Sequence, residues 1–240
     1  MLTLEKENQH LIFNLEKLPE NIDFFDKNFW LQEQRILGTA KGRGTTYFLQ
    51  SKDLLGVNSV LRHYYRGGLF GKFNKDLYFL RRVEDTRSFA EFKLLKQLRQ
   101  AGLNVPKPLG ARVTKVGLGL YRADILIEKI EQAQDLTKVL QEEELTSTQW
   151  QKIGALIAQM HQLQICHTDL NAHNIMLQKL DGVEKFWLID FDKCFVRTGE
   201  AWKKENLQRL LRSFRKEVGR LQIKFTEDNW QDLLQGYTGS

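Results

Sequence analysis

A polar loop of eight residues places the tightest constraint on how this 240-residue chain can fold. The loop is His167-Thr168-Asp169-Leu170-Asn171-Ala172-His173-Asn174, which has the pattern H-x-D-L-x-x-x-N. Residues before it have apolar spacing typical of a helix, and the residues after it are β-prone. Asp190 ends a second apolar strand, 16 residues after Asn174. We therefore expect a helix, this loop and a strand hairpin to bring Asp169, Asn174 and Asp190 together.

The pattern before residue 131 is mainly that of strands. Glycines and charges separate short β-prone runs, at Leu11 to Phe13, Ile36 to Thr39, Thr45 to Gln50, Val57 to Tyr65 and Tyr121 to Ile130. One helix is predicted over Ser88 to Gln100, with Gly102 as its stop and Pro106 and Pro108 beyond it.

After Ile130 the period becomes helical. Trp150, Ile153, Ile157 and Met160 recur behind Ser147 or Thr148, either of which could cap the helix. Two strands, Asn174 to Leu177 and Phe186 to Phe191, flank the hairpin signal Asp181-Gly182, and a basic amphipathic helix covers Trp202 to Leu221. The chain is therefore predicted to be an α+β domain over 1–240, strand-rich in 1–128 and helical in 129–240.

Composition limits the class of protein. A hydrophobic fraction of 42% and an aromatic fraction of 11% are typical of a folded domain, not a disordered chain. The N-terminus lacks the apolar core of a signal peptide, and no run approaches the roughly 18 apolar residues of a membrane span. Cys166 and Cys194 are too few for a disulfide scaffold, which favours a reducing cytoplasm. The net charge of +6 indicates an anionic partner: nucleic acid, a phosphorylated small molecule or an acidic membrane surface.

The residue types in the loop and hairpin suit phosphoryl transfer. That reaction needs a carboxylate to orient the acceptor hydroxyl and oxygen ligands for Mg²⁺. His167 to Asn174 resembles the catalytic loop of protein-kinase-like phosphotransferases, and Asp190-Phe191-Asp192 resembles their Asp-Phe-Gly motif. The resemblance implies a two-lobed protein-kinase-like fold, with Asp169 as the catalytic base and Asn174 and Asp190 as Mg²⁺ ligands. Asp192 in place of glycine and the lack of an Ala-Pro-Glu motif argue against a regulated protein kinase.

The same resemblance predicts an ATP site earlier in the chain. Gly42-Arg43-Gly44 would form the glycine-rich loop over the phosphates, although a hairpin turn explains the glycines equally well. Arg62 occupies the position of the kinase lysine and can still pair with phosphate. Glu91, on the apolar face of its helix, is expected to pair with Arg62, although Ser88 and Glu91 also fit a capping box. Glu128 to Ile130 matches the hinge that contacts adenine.

Several blocks resemble a narrower family, the bacterial 3-deoxy-D-manno-octulosonic acid (Kdo) kinases. They are GTAKGRGTTYFL, VLRHYYRGGL, HTDLNAHNIML, FWLIDFDKC and ENLQRLLRSFRK. This resemblance implies transfer of the ATP γ-phosphoryl group to the 4-hydroxyl of Kdo on a lipid A precursor, in lipopolysaccharide core synthesis. It also implies a peripheral location at the cytoplasmic face of the inner membrane. No nucleic-acid partner is expected, and the sequence identifies no protein partner.

Basic residues fit an acidic glycolipid acceptor. They cluster around the early glycine-rich turns, at Arg62, Arg66, Lys72, Arg81 and Arg82. The tail helix has a predicted apolar stripe of Leu207, Leu210, Leu211, Phe214, Val218 and Leu221. Its remaining surface carries Lys203, Lys204, Arg209, Arg212, Arg215, Lys216 and Arg220, which could contact anionic lipid or be merely solvated.

The sequence leaves three alternative functions open. An aminoglycoside- or choline-kinase-like enzyme would take a cationic acceptor, for which a basic chain is poorly suited. A nucleotide-binding pseudokinase is suggested by Tyr47, Arg62 and Asp192, whereas Asp169, Asn174 and Asp190 argue against it. A nucleic-acid-binding protein is suggested by charge alone, without a recognisable motif.

Overall fold

A computed structural model describes residues 1–18, 23–42, 44–66 and 75–239 of the chain. The chain divides into two compact units, Met1–Lys96 with Lys107–Lys129 and Gln97–Pro106 with Ile130–Ser240. The sequence analysis placed all residues before 129 in one lobe, whereas Gln97–Pro106 belongs to the second unit. Asn104 explains the difference, because its carbonyl accepts the Leu188 N–H at 3.0 Å and its amide donates to the Phe186 carbonyl at 3.1 Å.

The first unit is built on an antiparallel sheet. Its strands are β1 (Leu2–Lys6), β2 (Gln9–Phe13), β3 (Ile36–Lys41), β4 (Thr45–Leu49), β5 (Ser59–His63), β6 (Tyr78–Phe79), β7 (Pro108–Lys115) and β8 (Leu120–Glu128). Neighbours follow the order β1-β2-β7-β8-β5-β4-β3, with β6 paired to β8. The sequence analysis did not predict β1, β6 or β7. β1 forms a hairpin with β2, whereas β7 pairs both with the adjacent β8 and with β2, which lies about 100 residues earlier in the chain.

Short helices and α3 complete the first unit. They are α1 (Lys27–Gln32), α2 (Lys52–Leu55), a 3₁₀ turn at Val83–Asp85 and α3 (Arg87–Gln100), of which the residues from Gln97 onward belong to the second unit. Trp30 of α1 is fully buried beside Phe24 and Phe25, and its indole N–H donates to the Phe24 carbonyl at 3.0 Å. Gly102, at φ 81°, follows α3 as predicted.

The second unit is mostly helical. Its helices are α4 (Leu136–Glu142), α5 (Ser147–Gln162), α6 (Ala201–Leu221) and α7 (Glu227–Thr238). Its short strands are β9 (Ala133–Asp135), β10 (Ile165–Cys166), β11 (Ile175–Leu180), β12 (Val183–Leu188) and β13 (Phe195–Val196). They form an antiparallel β12-β11-β9 sheet and a β10-β13 pair. The predicted Asp181-Gly182 hairpin turn is confirmed, since both residues have positive φ, 51° and 74°.

Aromatic rings and two glycines pack the helices of the second unit. The Phe214 and Phe225 rings stack 4.8 Å apart, and the Trp150 ring meets Phe214 edge-on at 5.4 Å. Gly154 of α5 and Gly236 of α7 face the backbone of the other helix so closely that a Cβ at either position would overlap it. These glycines therefore permit the contact between α5 and α7.

Two sequence expectations about these helices were wrong. The cap of α5 is Thr146, not Ser147 or Thr148, because the Thr146 and Gln149 side chains bond each other's backbone N–H in a capping box. Val218 of α6 is exposed, whereas Glu217 is buried and bonded to Arg220. Within the described ranges, no helix combines the length and apolarity needed to cross a membrane.

Candidate active site

The loop between β10 and β11 is held in one conformation by its own side chains. The Asn171 carboxamide oxygen accepts the N–H groups of His173 and Asn174, at 2.9 and 3.2 Å, and so caps the short 3₁₀ turn Ala172–Asn174. The Asp169 carbonyl accepts the side-chain amides of Asn171 and Asn174, each at 2.9 Å. Since the Asn174 nitrogen is used in this way, its Oδ1 is the atom that could bind a metal.

His167 connects this loop to Ile189, the residue that directly follows β12. Its Nε2 lies 3.0 Å from the Ile189 carbonyl, and its Nδ1 accepts the Asp169 N–H at 3.3 Å. Burial lowers the pKa of His167, which favours the neutral ring. A neutral ring protonated at Nε2 satisfies both bonds, so His167 is a positioning residue that fixes the loop against Ile189.

The position of Asp190 is fixed by the residue before it, Ile189. The Ile189 N–H donates to the Asn174 carbonyl at 3.0 Å, which continues the β11–β12 ladder by one step and places Asp190 beside the loop. Asp190 itself has a φ of 62°, a left-handed conformation that is unfavourable for most non-glycine residues. Phe191 is buried, with its ring 4.9 Å from that of His167. The structure therefore brings the Asp190 and Asn174 positions together, as the sequence predicted.

The helix α6 supplies supports that the sequence analysis missed. The Asn206 amide donates to the His167 carbonyl at 2.8 Å, while its oxygen lies 3.0 Å from His161 Nε2. The Ser213 hydroxyl accepts the Ala172 N–H at 3.1 Å. The sequence did contain a signal for Asn206. It is a polar residue on the same helix face as Trp202 and Leu210, which are buried, and a polar residue on such a face needs a hydrogen-bond partner.

A charged cluster contacts the loop from the other end of α6. His173 Nδ1 lies 2.8 Å from an Asp135 carboxylate oxygen, and the Asp135 side chain also caps α4. On the other side of the ring, His173 Nε2 lies 3.2 Å from Arg220, which pairs with buried Glu217. These bonds give His173 a structural role in the loop.

The oxygen donors fit Mg²⁺ better than a transition metal. Mg²⁺ in kinase-type sites takes one or two protein oxygens and completes its shell with water and phosphate. Asn174 Oδ1 and the Asp190 carboxylate are such donors, and neither sulfur nor imidazole is needed. The described residues contain no cluster of three or more His, Cys, Asp or Glu side chains that could hold a metal unaided.

In the first unit, Arg62 and Glu91 form the predicted ion pair. The Arg62 guanidinium lies 2.6 and 2.7 Å from the two Glu91 carboxylate oxygens, and the Tyr64 hydroxyl donates to the same carboxylate at 2.5 Å. The Glu91 side chain is only 2% exposed, so this pairing compensates a buried charge. Ser88 bonds the Arg112 carbonyl, which leaves the alternative capping box without support.

Burial, more than any other cause, raises the pKa of the Tyr64 hydroxyl far above its usual range, and the neighbouring Glu91 charge acts in the same direction. Tyr64 therefore stays protonated and keeps donating to Glu91. In this way β5 and α3 hold the Arg62 guanidinium in one place, as a phosphate-binding arginine would require.

The remaining predicted nucleotide residues have structural contacts of their own. The Gly42 N–H donates to the Gly44 carbonyl at 2.9 Å between β3 and β4, while Arg43 lies outside the described residues, as does Lys72. A Cβ on Gly44 would overlap the Tyr65 ring, which gives that glycine a steric reason. The Glu128 N–H donates to the Lys107 carbonyl at 2.8 Å, so any contact of Glu128 with adenine would need another of its groups. Ile130 begins the second unit's main segment.

Comparisons with known proteins identify the family. Residues 27–237 match the lipopolysaccharide kinase (Kdo/WaaP) family. Two curated relatives carry the name 3-deoxy-D-manno-octulosonic acid kinase, each matching over 99% of both chains. They come from Mannheimia succiniciproducens, at 59% identity, and Pasteurella multocida, at 58%.

A solved structure supports the fold. It is described as WaaP in complex with acyl carrier protein, and it matches with a TM-score of 0.60 over 96% of this chain and 89% of the other. At 16% identity this likeness concerns the fold alone, and it confirms the predicted α+β, protein-kinase-like class. The match of residues 27–237 and the full-length relatives establish that the chain belongs to the lipopolysaccharide kinase (Kdo/WaaP) family.

Proposed function

We propose that this chain is an ATP-dependent phosphotransferase that phosphorylates the 4-hydroxyl of Kdo on a lipid A precursor, in lipopolysaccharide core synthesis. The observation that carries the proposal is 59% identity, over 99% of both chains, to a protein named 3-deoxy-D-manno-octulosonic acid kinase. The loop and hairpin of the second unit support it, since they hold a carboxylate and two further oxygen donors on rigid backbone.

In this proposal each residue has a separate role. Asp169 orients the acceptor hydroxyl and accepts its proton as the oxygen attacks the γ-phosphorus, whose bond to the β,γ-bridging oxygen breaks so that ADP leaves. Asn174 and Asp190 bind Mg²⁺, which when bound neutralises charge on the ATP phosphates. Arg62, fixed by Glu91, contributes a positive charge towards the nucleotide. Gly42 and Gly44 are assigned to the loop over the phosphates, and the Glu128 to Ile130 segment to the adenine.

The location is proposed on chemical grounds. A lipid-linked acceptor lies in a membrane, and the exposed face of α6 carries Lys204, Arg209, Arg212 and Lys216. Each basic residue near an anionic bilayer contributes about 1 kcal/mol to membrane binding. We therefore place the enzyme peripherally at the cytoplasmic face of the bacterial inner membrane, where ATP is available.

The test is a phosphate-transfer assay with three acceptors: a Kdo-bearing lipid A precursor, an aminoglycoside and a generic protein substrate. Phosphorylation of the Kdo lipid alone, with product analysis placing phosphate on the 4-hydroxyl, is expected. Preferential transfer to the aminoglycoside would favour the rival small-molecule kinase. Nucleotide binding without transfer to any acceptor would favour the pseudokinase.

A further inference from the structure

A cleft of about 680 Å³ opens in the second unit beside the β10–β13 pair and the first turns of α6. Its lining includes Thr168, Arg197, Lys204, Glu205, Arg209 and Arg212. Four of these six side chains are basic, against the one carboxylate of Glu205. A volume of several hundred Å³ suits a ligand the size of one or two sugars.

The basic residues of this cleft differ from the other cations on α6 in their pairing. Lys203, Arg215 and Arg220 each pair with a carboxylate, namely that of Glu200, Glu227 and Glu217. In the described part of the chain, Arg197, Lys204, Arg209 and Arg212 have no carboxylate within ion-pair distance. Cations gathered in a concave surface repel each other unless an anion binds between them.

The cleft begins at the catalytic loop. Thr168, in its wall, directly precedes Asp169, and Asn206, also in its wall, holds the His167 carbonyl at 2.8 Å. On the opposite side, the Arg197 N–H bonds the Gln164 carbonyl at 2.8 Å, which continues the β10–β13 pairing and fixes where Arg197 leaves the backbone. The same elements therefore position the proposed base and the basic side chains.

We propose that this cleft is the acceptor subsite, in which Arg197, Lys204, Arg209 and Arg212 bind the anionic groups of the glycolipid and so bring its hydroxyl to Asp169. The inference rests on the proposed function and names the site that selects the acceptor. Guanidinium groups pair bidentately with both carboxylate and phosphate, so the shared chemistry is an oxyanion on a sugar or on its lipid.

The central experiment compares the double variant Arg209→Gln/Arg212→Gln with a matched control, Lys152→Gln/Lys185→Gln. The control removes the same charge from exposed lysines of the second unit that lie outside the cleft. Steady-state kinetics with the Kdo-bearing lipid should give an acceptor KM at least about tenfold higher for the cleft variant, since hydrogen bonds to charged groups are strong. We expect its KM for ATP, and both constants of the control, to change by less than about twofold.

Binding without turnover provides an independent measurement. In the absence of ATP, the Kdo lipid should raise the melting temperature of the wild type and the control, and raise that of the cleft variant much less. Equal melting temperatures of the three proteins without lipid would exclude misfolding as the cause.

Two modified acceptors identify the anion. If the sugar carboxylate binds in the cleft, esterifying it should weaken acceptor binding. The wild type should then have as high a KM for the methyl ester as the cleft variant has for the free acid. If the lipid phosphates bind there, the dephosphorylated lipid should show that loss instead. Either result supports the subsite.

An unchanged acceptor KM and an unchanged lipid-induced melting shift in the cleft variant would overturn the subsite while leaving the Kdo kinase function intact. A wild type that neither phosphorylates nor binds the Kdo lipid would instead overturn the proposed function, and the subsite with it.

Discussion

The backbone of Asp169 is fixed by hydrogen bonds to neighbouring side chains. Its carboxylate is therefore not needed to hold the loop in place. Its carbonyl accepts two amides and its N–H bonds His167, while the carboxylate makes no hydrogen bond within the described residues. Asp190, in contrast, occupies a left-handed conformation that costs about 1 kcal/mol or more. Strained backbone of this kind is often found at functional sites, which supports a ligand role for Asp190.

We predict that Asp169→Asn lowers kcat by roughly 10²–10⁴, because the variant can orient the acceptor hydroxyl but not accept its proton. The KM for ATP and the melting temperature should stay near their wild-type values. Kinetic assays and thermal unfolding measure these quantities. Activity within a few-fold of wild type would remove Asp169 from the role.

We predict that Asp190→Asn loses most activity, since an amide would replace the charged carboxylate that we propose as a Mg²⁺ ligand, and that high Mg²⁺ restores only part of it. Asn174→Ala should show a milder loss, although it also removes the bond to the Asp169 carbonyl. Titrating Mg²⁺ against activity for each variant provides the measurement. Wild-type activity of both variants at low Mg²⁺ would show that other groups bind the metal.

At the scale of elements, helix packing in the second unit depends on two residues without side chains. A Cβ on Gly154 would overlap the Leu233 carbonyl and lie 2.7 Å from the Tyr237 nitrogen, while one on Gly236 would overlap Gln151. Backbone atoms cannot rotate away as a side chain can, so the helices would have to separate. Because α5 also leads into β10 and the catalytic loop, such a change would reach the site.

We therefore predict that Gly154→Ala or Gly236→Ala destabilises the protein by about 1–3 kcal/mol through overpacking. The matched control is Gly219→Ala on α6, where an added Cβ meets no atom within 4 Å. That change should stabilise by about 0.5–1 kcal/mol through helix propensity. Denaturant unfolding compares the three. Equal stability of Gly154→Ala and wild type would show that α5 and α7 are not in close contact.

At the scale of the whole molecule, the net charge of +6 favours association with acidic surfaces. The basic residues that could bind such a surface are concentrated on α6, where several are exposed and form no ion pair within the described structure. Interactions at such a surface are screened over about 8 Å at physiological ionic strength. Membrane association should therefore depend steeply on salt.

We predict that the wild type binds vesicles containing anionic lipid, and that added salt releases it. Reversal of Arg209, Arg212 and Lys216 to glutamate should weaken binding and flatten the salt dependence. A control with the same change in net charge reverses Lys115, Lys152 and Lys185, which are exposed and lie elsewhere. Vesicle co-sedimentation over a salt series distinguishes them. Identical loss in both triple variants would indicate net charge rather than this face of α6.

The sequence by itself was sufficient for features that depend on residues near each other in the chain. The order helix, H-x-D-L-x-x-x-N loop and hairpin, the Gly102 helix stop and the Asp181-Gly182 turn all follow from local spacing and backbone preference. Local sequence also predicted that Glu91, on the apolar face of its helix, needs a partner, but it left open whether that partner was Arg62 or the helix's own N-terminus. The structure decided for Arg62.

Only the tertiary structure decided which distant residues support the site. Ser213 bonds the Ala172 N–H across 41 positions, and Asn206 bonds the His167 carbonyl across 39. The same holds for the pairing of β2 with β7, the assignment of Gln97–Pro106 to the second unit, and the basic cleft beside Thr168. Periodicity records which face of an element is buried, but not what lies against it. That information arises only when elements far apart in the chain pack together.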